Sequence, residues 1–205
     1  MRVRHTIAAV LLAVLVPGLL TGCGGGSHAA TLQGQPTTFD GAPLPSGVRA
    51  PGFMLSGPLG ERVSLAGLRG SVVAIAFLDS RCAPGCVLMA QQIRGAIDEL
   101  ARPPQVLLVT TAPRADTPTS VAAFLREVSL TGRVHYLTGP ASALARVWHA
   151  YRVTLPSAGS RRFEAALSVL LIDRAGNERV LFGIEQITPE GLAHDIRVLQ
   201  SGGGA

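Results

Sequence analysis

The sequence predicts an α/β domain with a central mixed sheet flanked by helices and a small β-hairpin ahead of it. Three observations carry this expectation. Residues 72–78 and 106–111 are nearly continuous runs of apolar β-formers, without the polar alternation of a half-exposed strand. Helical patterns separate the successive strand-like runs, which implies parallel neighbours. A closing pair of runs, 167–172 and 179–182, flanks Asp173-Arg174-Ala175-Gly176-Asn177, a turn that brings the chain back antiparallel.

The elements follow in order. Residues 53–55 and 62–64 flank Gly57-Pro58-Leu59-Gly60 and predict the hairpin. Residues 72–78 form the central strand. A helix follows over about 85–101, ended by Pro103-Pro104. Residues 106–111 form the next buried strand. Asp116-Thr117-Pro118 opens a helix, with Thr117 as its cap and Pro118 at the first helical position. Val121, Phe124, Leu125 and Val128 give that helix its apolar face. Residues 134–137 form a short strand, and 140–151 a helix with Leu144, Val147 and Trp148 spaced as a core face. The closing hairpin comes next, and Thr188-Pro189-Glu190 starts the last helix. The order β-β-β-α-β-α-β-α-β-β-α is a thioredoxin-like plan with an N-terminal hairpin.

Composition narrows the function. Of 205 residues 47 % are hydrophobic, which excludes a wholly disordered chain and fits one globular unit with appendages. All 18 basic residues are Arg, so Schiff-base chemistry and a P-loop lysine are absent. The charge of +5 is spread without a basic run, so no nucleic-acid partner is expected. No Ser-His-Asp arrangement or zinc spacing stands out. Gly24-Gly25-Gly26 follows no strand and reads as linker rather than phosphate loop.

The N-terminus reads as an address. Arg2 and Arg4 precede an apolar stretch at 7–16, broken by Pro17 and Gly18, the pattern of a secretory signal. Leu20-Thr21-Gly22-Cys23 resembles the bacterial lipobox, which implies cleavage before Cys23 and a diacylglycerol on its sulfur. Residues 1–22 are then a lipoprotein signal peptide and 23–50 a Gly-, Pro- and Ser-rich flexible tether. Residues 51–200 are the domain and 201–205 a disordered tail. The tether spans about 30 Å as a coil. The expected location is the extracytoplasmic face of the bacterial cell membrane, held by the lipid. Losing Arg2 and Arg4 leaves 16 Arg against 13 acidic residues, a mature charge of +3. Of the 3 Cys, lipidation of Cys23 leaves Cys82 and Cys86, in a compartment where disulfides persist.

Cys82-Ala83-Pro84-Gly85-Cys86 directly follows the central strand and opens a helix. Free N–H groups and the helix dipole at that end stabilise a thiolate, improving it as nucleophile and leaving group. Pro84 is expected at the first helical position, with Cys82 just outside the helix. Inside a regular helix, residues four apart hold their Cβ atoms roughly 5–6 Å from one another. A disulfide needs about 3.8 Å, which the loop lets Cys82 reach. A passive staple is the competing use. Closing so small a loop stabilises by only about 2 kcal/mol, which favours redox or metal chemistry.

Phe77-Leu78-Asp79-Ser80-Arg81-Cys82, three residues, then Cys86, resembles the SCO/SenC family, membrane-tethered thioredoxin-like proteins with C-x-x-x-C. Thr111-Ala112-Pro113-Arg114-Ala115-Asp116-Thr117-Pro118 resembles the family's D-P-x-R-D-T-P segment. Leu137-Thr138-Gly139, Ala150-Tyr151-Arg152-Val153 and Leu171-Ile172-Asp173-Arg174-Ala175-Gly176 resemble three further segments in the same order. The resemblance implies copper handling during assembly of the Cu-A centre of cytochrome c oxidase, or reduction of disulfides there.

Family copper binding uses both cysteines and a histidine about eight residues before the hairpin aspartate. That count reaches Ala165, and no His lies between Arg152 and Asp173. The spacer lacks the family's usual acidic residue, and Val87 stands where Pro is frequent. The function expected is therefore thiol-disulfide exchange, with Cys82 as attacking and Cys86 as resolving thiol. Its partner is a protein thiol or disulfide, such as that of an oxidase copper subunit. The alternative is a Cu(I) carrier in which copper sits on Cys82 and Cys86, its third ligand not identified. His28, His135, His149 and His194 read as packed or surface residues, Met89 and Trp148 as core, and Glu164 as a hard donor ill-suited to Cu(I). Arg81 and Asp79 flank the pair, the first favouring a thiolate and the second opposing it.

Overall fold

The computed structural model describes residues 38–202 apart from 83, 154 and 156–165. The expected signal peptide, Cys23 and the tether up to residue 37 lie outside the described residues. The strands are β1 (Ala42–Pro43), β2 (Met54–Ser56), β3 (Arg62–Ser64), β4 (Val73–Leu78), β5 (Gln105–Thr110), β6 (His135–Leu137), β7 (Ser168–Ile172) and β8 (Glu178–Gly183). The helices are α1 (Gly85–Asp98), α2 (Pro118–Glu127), α3 (Ala141–Ala150) and α4 (Pro189–Gln200). A short 3-10 turn at Leu65–Leu68 joins β3 to β4, a piece the sequence reading lacked. Helix α1 stops at Asp98, three residues before the expected end.

The main sheet has the order β1-β8-β7-β4-β5-β6, and β2 and β3 form a separate two-stranded hairpin. β4, β5 and β6 run parallel, while β7 lies antiparallel on the other side of β4. This is the thioredoxin-like plan. The chain winds outward from β4 in one direction and then crosses to its other side. The end of β4 is thus the point where the topology switches sides.

Alternation along β4 sorts the core. Ala74, Ala76 and Leu78 face one apolar cluster with α1, α2 and α4. Val73, Ile75 and Phe77 face the other, with the hairpin, the 3-10 turn and α3. Both clusters close within residues 39–199, so this part of the chain carries its own complete core. Small residues on the first face let helices approach. Gly95 of α1 meets α4 so closely that a Cβ there would lie 2.9 Å from the Cβ and Cγ of Pro189. Any larger residue would push the two helices apart.

The packed chain begins earlier than expected. Composition places residues 38–50 in the flexible tether, yet they form a strap along β8. Ala42 and Pro43 pair with Leu181 and Val180. Leu44 N donates to Arg179 O at 2.8 Å, Glu178 N to Val48 O at 2.8 Å, and Ala50 N to Gly176 O at 3.0 Å. The carboxyl of Asp195, with 0 % exposure, accepts from Asp40 N at 2.8 Å and Gly41 N at 3.0 Å. Gly41 lies so close to β8 that a Cβ would stand 2.8 Å from the Phe182 ring. The strap is Gly- and Pro-rich because it must hug the sheet, and that composition reads as linker in a sequence.

Candidate functional site

The 79–82 loop leaves β4 at the switch point, and α1 begins immediately after it. Cys82 and Cys86 form a disulfide, with Cα atoms 5.5 Å apart. The two sulfur-bearing residues differ in access. Cys86 is fully buried in the first turn of α1, whereas Cys82 is only partly covered by the core. Pro84 is the N-cap, in the right-handed α region (φ −87°, ψ −14°), rather than the first helical residue. It offers no side-chain cap, and the first turn of α1 carries no acidic residue. The positive end of the helix dipole is therefore left to the cysteine pair.

Two buried carboxyls hold the loop. Asp116, 8 % exposed, accepts from Ser80 N at 2.9 Å, Ser80 Oγ at 2.6 Å, Tyr136 Oη at 2.6 Å and Thr110 Oγ1. It thereby ties the loop after β4 to the end of β5 and to β6. Burial, then the neighbouring Asp116 carboxyl, hold the Tyr136 phenol protonated far above its ordinary range, so it stays a donor. Trp148 Nε1 reaches the same corner, donating to Thr110 O at 2.9 Å.

Asp79, 5 % exposed, turns back on its own loop and accepts from Arg81 N at 3.0 Å and Thr111 Oγ1 at 3.3 Å. Burial raises its pKa, Asp116 adds to the rise, and hydrogen bonds from the Arg81 and Cys82 amides and Thr111 oppose it. The side chain of Arg81 is exposed. Asp79 therefore acts on the loop through backbone amides, a role the expectation of two flanking charges did not include. A raised folded pKa means that protonated Asp79 favours the fold. That contribution is present below the unfolded carboxylate range and is lost as pH rises through the folded value. Asp79→Asn is expected to raise stability at neutral pH and to make no difference at strongly acidic pH. Urea unfolding at both pH values checks it.

Ser80, Thr110 and Tyr136 carry no functional signal in the sequence, where Asp116 stands out as part of a helix start and of the segment 111–118 that resembles the family's. One structural cue exists. Thr110 ends an apolar run, and a buried hydroxyl must find a partner.

The histidines lie elsewhere. His135 opens the edge strand β6, level with Ile75 in the middle of β4, its Nε2 3.3 Å from Gln105 Oε1. His149 is exposed on α3. His194 lies 2.9 Å from Asp195 Oδ1 and 3.4 Å from Asp40 Oδ2. Among the described residues that trio is the group whose possible metal-ligating atoms converge, all within 4.8 Å of one another, and it does not include the cysteines. Met89 is fully buried core. Ala165 and Glu164 lie outside the described residues. Once reduced, Cys82 and Cys86 offer two soft thiolates, a donor set suited to Cu(I).

A three-layered α/β/α domain with a half-exposed, half-buried cysteine pair at the end of its central strand defines a thioredoxin-like dithiol/disulfide protein. The family model described as SCO1/SenC matches residues 46–201, and the chain belongs to that family. No curated protein matches the chain. Among solved structures, copper-bound ScoI of Bradyrhizobium japonicum is 22 % identical, with a TM-score of 0.57 over 74 % of this chain and 99 % of that one. A SCO1/SenC family lipoprotein from Bacillus anthracis str. Ames is 19 % identical, with a TM-score of 0.61 over 77 % and 96 %. BsSco is described as a member of the Sco family of cytochrome c oxidase assembly proteins in which a disulfide switch is identified. It is 16 % identical, with a TM-score of 0.63 over 77 % and 96 %. At these identities the structures establish the shared fold.

Proposed function

We propose that this chain is a membrane-anchored thiol-disulfide exchanger that serves cytochrome c oxidase assembly at the extracytoplasmic face of a bacterial membrane. The observation that carries the reading is the unequal access of a bonded cysteine pair. In the reduced state the Cys82 thiolate attacks a partner disulfide. A Cys82–partner bond forms, and one partner thiolate leaves. The Cys86 thiolate then attacks Cys82 Sγ, closing the disulfide described here and releasing the second partner thiol. Two electrons pass to the partner, and the steps run backward when the partner is the reductant. The reduced cysteines of an oxidase copper subunit are a fitting product, since thiolates rather than disulfides bind copper. Lipidation of Cys23 supplies the anchor in this reading.

Copper carriage is the second reading, and the copper-bound relative favours it. The exchange reading is preferred because His135, His149 and His194 are each engaged or placed away from the pair. One titration separates the two. The reduced protein is challenged with Cu(I) against a competing chelator, alongside a stopped-flow assay with a model disulfide. Rapid disulfide reduction with weak copper retention is expected. Sub-picomolar copper retention that vanishes in Cys86→Ser would overturn the preference.

A further inference from the structure

A polypeptide that exchanges its disulfide with Cys82 has to lie across the loops that frame that sulfur, residues 79–84 and 111–117. An extended chain advances about 3.3 Å per residue. The residues on either side of its own cysteine therefore come down on the side chains nearest Cys82, and the chemistry of those side chains decides which segments fit.

Arg81 is adjacent to Cys82 and exposed, and Arg114 is exposed in the second loop. The clamp between the loops sets their backbones side by side. Ser80 N and Oγ donate to Asp116 Oδ1 at 2.9 and 2.6 Å, one residue before Arg81 and two residues after Arg114. Neither guanidinium forms an ion pair among the described residues.

The acids of these loops are turned the other way. They are Asp79 and Asp116, 5 % and 8 % exposed. Their oxygens are taken by Arg81 N, Thr111 Oγ1, Thr110 Oγ1 and Tyr136 Oη as well as by Ser80. The first turns of α1 and α2, which open from the two loops, add no acidic residue. At the far end of α1 the surface is different: exposed Asp98 meets Arg94 and Arg133, and Glu99 meets Arg197. Arginines elsewhere on the domain are exposed as well. Arg81 and Arg114 are set apart by place, because disulfide exchange itself brings a second chain onto them.

We propose that Arg81 and Arg114 form the partner-recognition surface of the exchange site, selecting a polypeptide segment in which acidic side chains flank the cysteine to be reduced. This rests on the exchange reading and gives it a substrate class. A guanidinium offers a carboxylate a forked pair of N–H donors. A segment with basic residues beside its cysteine meets like charge and is turned away.

The test uses the chain from Gly24 onward, reduced and freed of reductant, which lacks the acylated cysteine and keeps the complete core. It is offered three synthetic peptides, each closed by one disulfide and differing only in the residues flanking the attacked cysteine, which are Glu, Gln or Lys. Each rate is divided by the rate of the same peptide with dithiothreitol, an uncharged thiol, which removes the peptide's own reactivity. At low ionic strength the Glu peptide is expected to react about fivefold faster than the Gln peptide, and the Lys peptide about fivefold slower, for two exposed charge pairs. The spread should shrink at high salt. In Arg81→Gln/Arg114→Gln the three rates should come together, and the ratio between peptides cancels any change in the thiolate fraction of Cys82. Arg81→Lys/Arg114→Lys keeps the charge and should keep the preference. Arg49→Gln/Arg174→Gln removes equal charge beside the β7–β8 turn and should also keep it. Equal rates for the three peptides overturn the selection and leave the exchange reading standing. So does a preference that survives the Arg81/Arg114 glutamine pair, one lost in the lysine pair, or one lost equally in the Arg49/Arg174 pair. Failure to reduce the Gln peptide above background defeats the exchange reading itself, and the selection with it.

Discussion

Asp116→Ala is expected to lower the free energy of unfolding by about 4 kcal/mol, the largest single effect at this site. The carboxyl accepts from Ser80 N, Ser80 Oγ, Thr110 Oγ1 and Tyr136 Oη in a place 8 % exposed. Removing it leaves these donors facing a small apolar void. Asp116→Asn keeps one acceptor oxygen and brings in a donor where donors already crowd, so an intermediate loss is expected. The consequence reaches the cysteines because Ser80 belongs to the loop that carries Cys82. Reduced Asp116→Ala should therefore also show altered alkylation kinetics at Cys82 under conditions where it remains folded. Urea unfolding and timed alkylation with mass readout measure the two effects. A loss under about 1 kcal/mol with unchanged alkylation would mean that the loop is held by other contacts.

The second large effect is an asymmetry between two serine substitutions. Cys86→Ser, offered a model disulfide, should accumulate a mixed disulfide through Cys82, visible as a mass adduct that persists. Cys82→Ser should form no adduct and fall to the background rate, because its remaining thiol is fully buried in α1. Both substitutions remove the same cross-link, worth about 2 kcal/mol on the chain-entropy view, and Cys86→Ser also buries a hydroxyl in the core, so it should lose the more stability. Trapping in the less stable variant and none in the more stable one separates the attacking role from the structural one. Trapping through Cys86 instead would reverse the assignment of the two thiols.

Much of this fold is legible in the sequence because its physics is local. Central strands covered on both faces must be apolar along their covered length, as β4 and residues 106–109 of β5 are. The helices announce themselves through Thr117 and Thr188, which accept from Ser120 N and Gly191 N just ahead of a proline. The cysteine pair is legible for the same reason, since its spacing and its place after a buried strand are both local facts. What escapes is held by distance along the chain. The strap has no periodicity over its two-residue strand, and Asp195, which grips it, lies more than 150 residues away. Ser80, Thr110 and Tyr136 look ordinary one at a time. They become a network only when β4, β5 and β6 come side by side.

If the pair exchanges disulfides as proposed, the contact between Gly95 and Pro189 bears on how a partner would recognise the protein. Helix α1 is wedged from behind by α4 and is fully packed beneath Cys86. Opening the disulfide therefore has little freedom to shift the helix and acts chiefly on the short segment bearing Cys82. Oxidised and reduced forms then show visiting proteins nearly the same silhouette. A visitor that must choose between them has to sense a single sulfur atom rather than a change of shape.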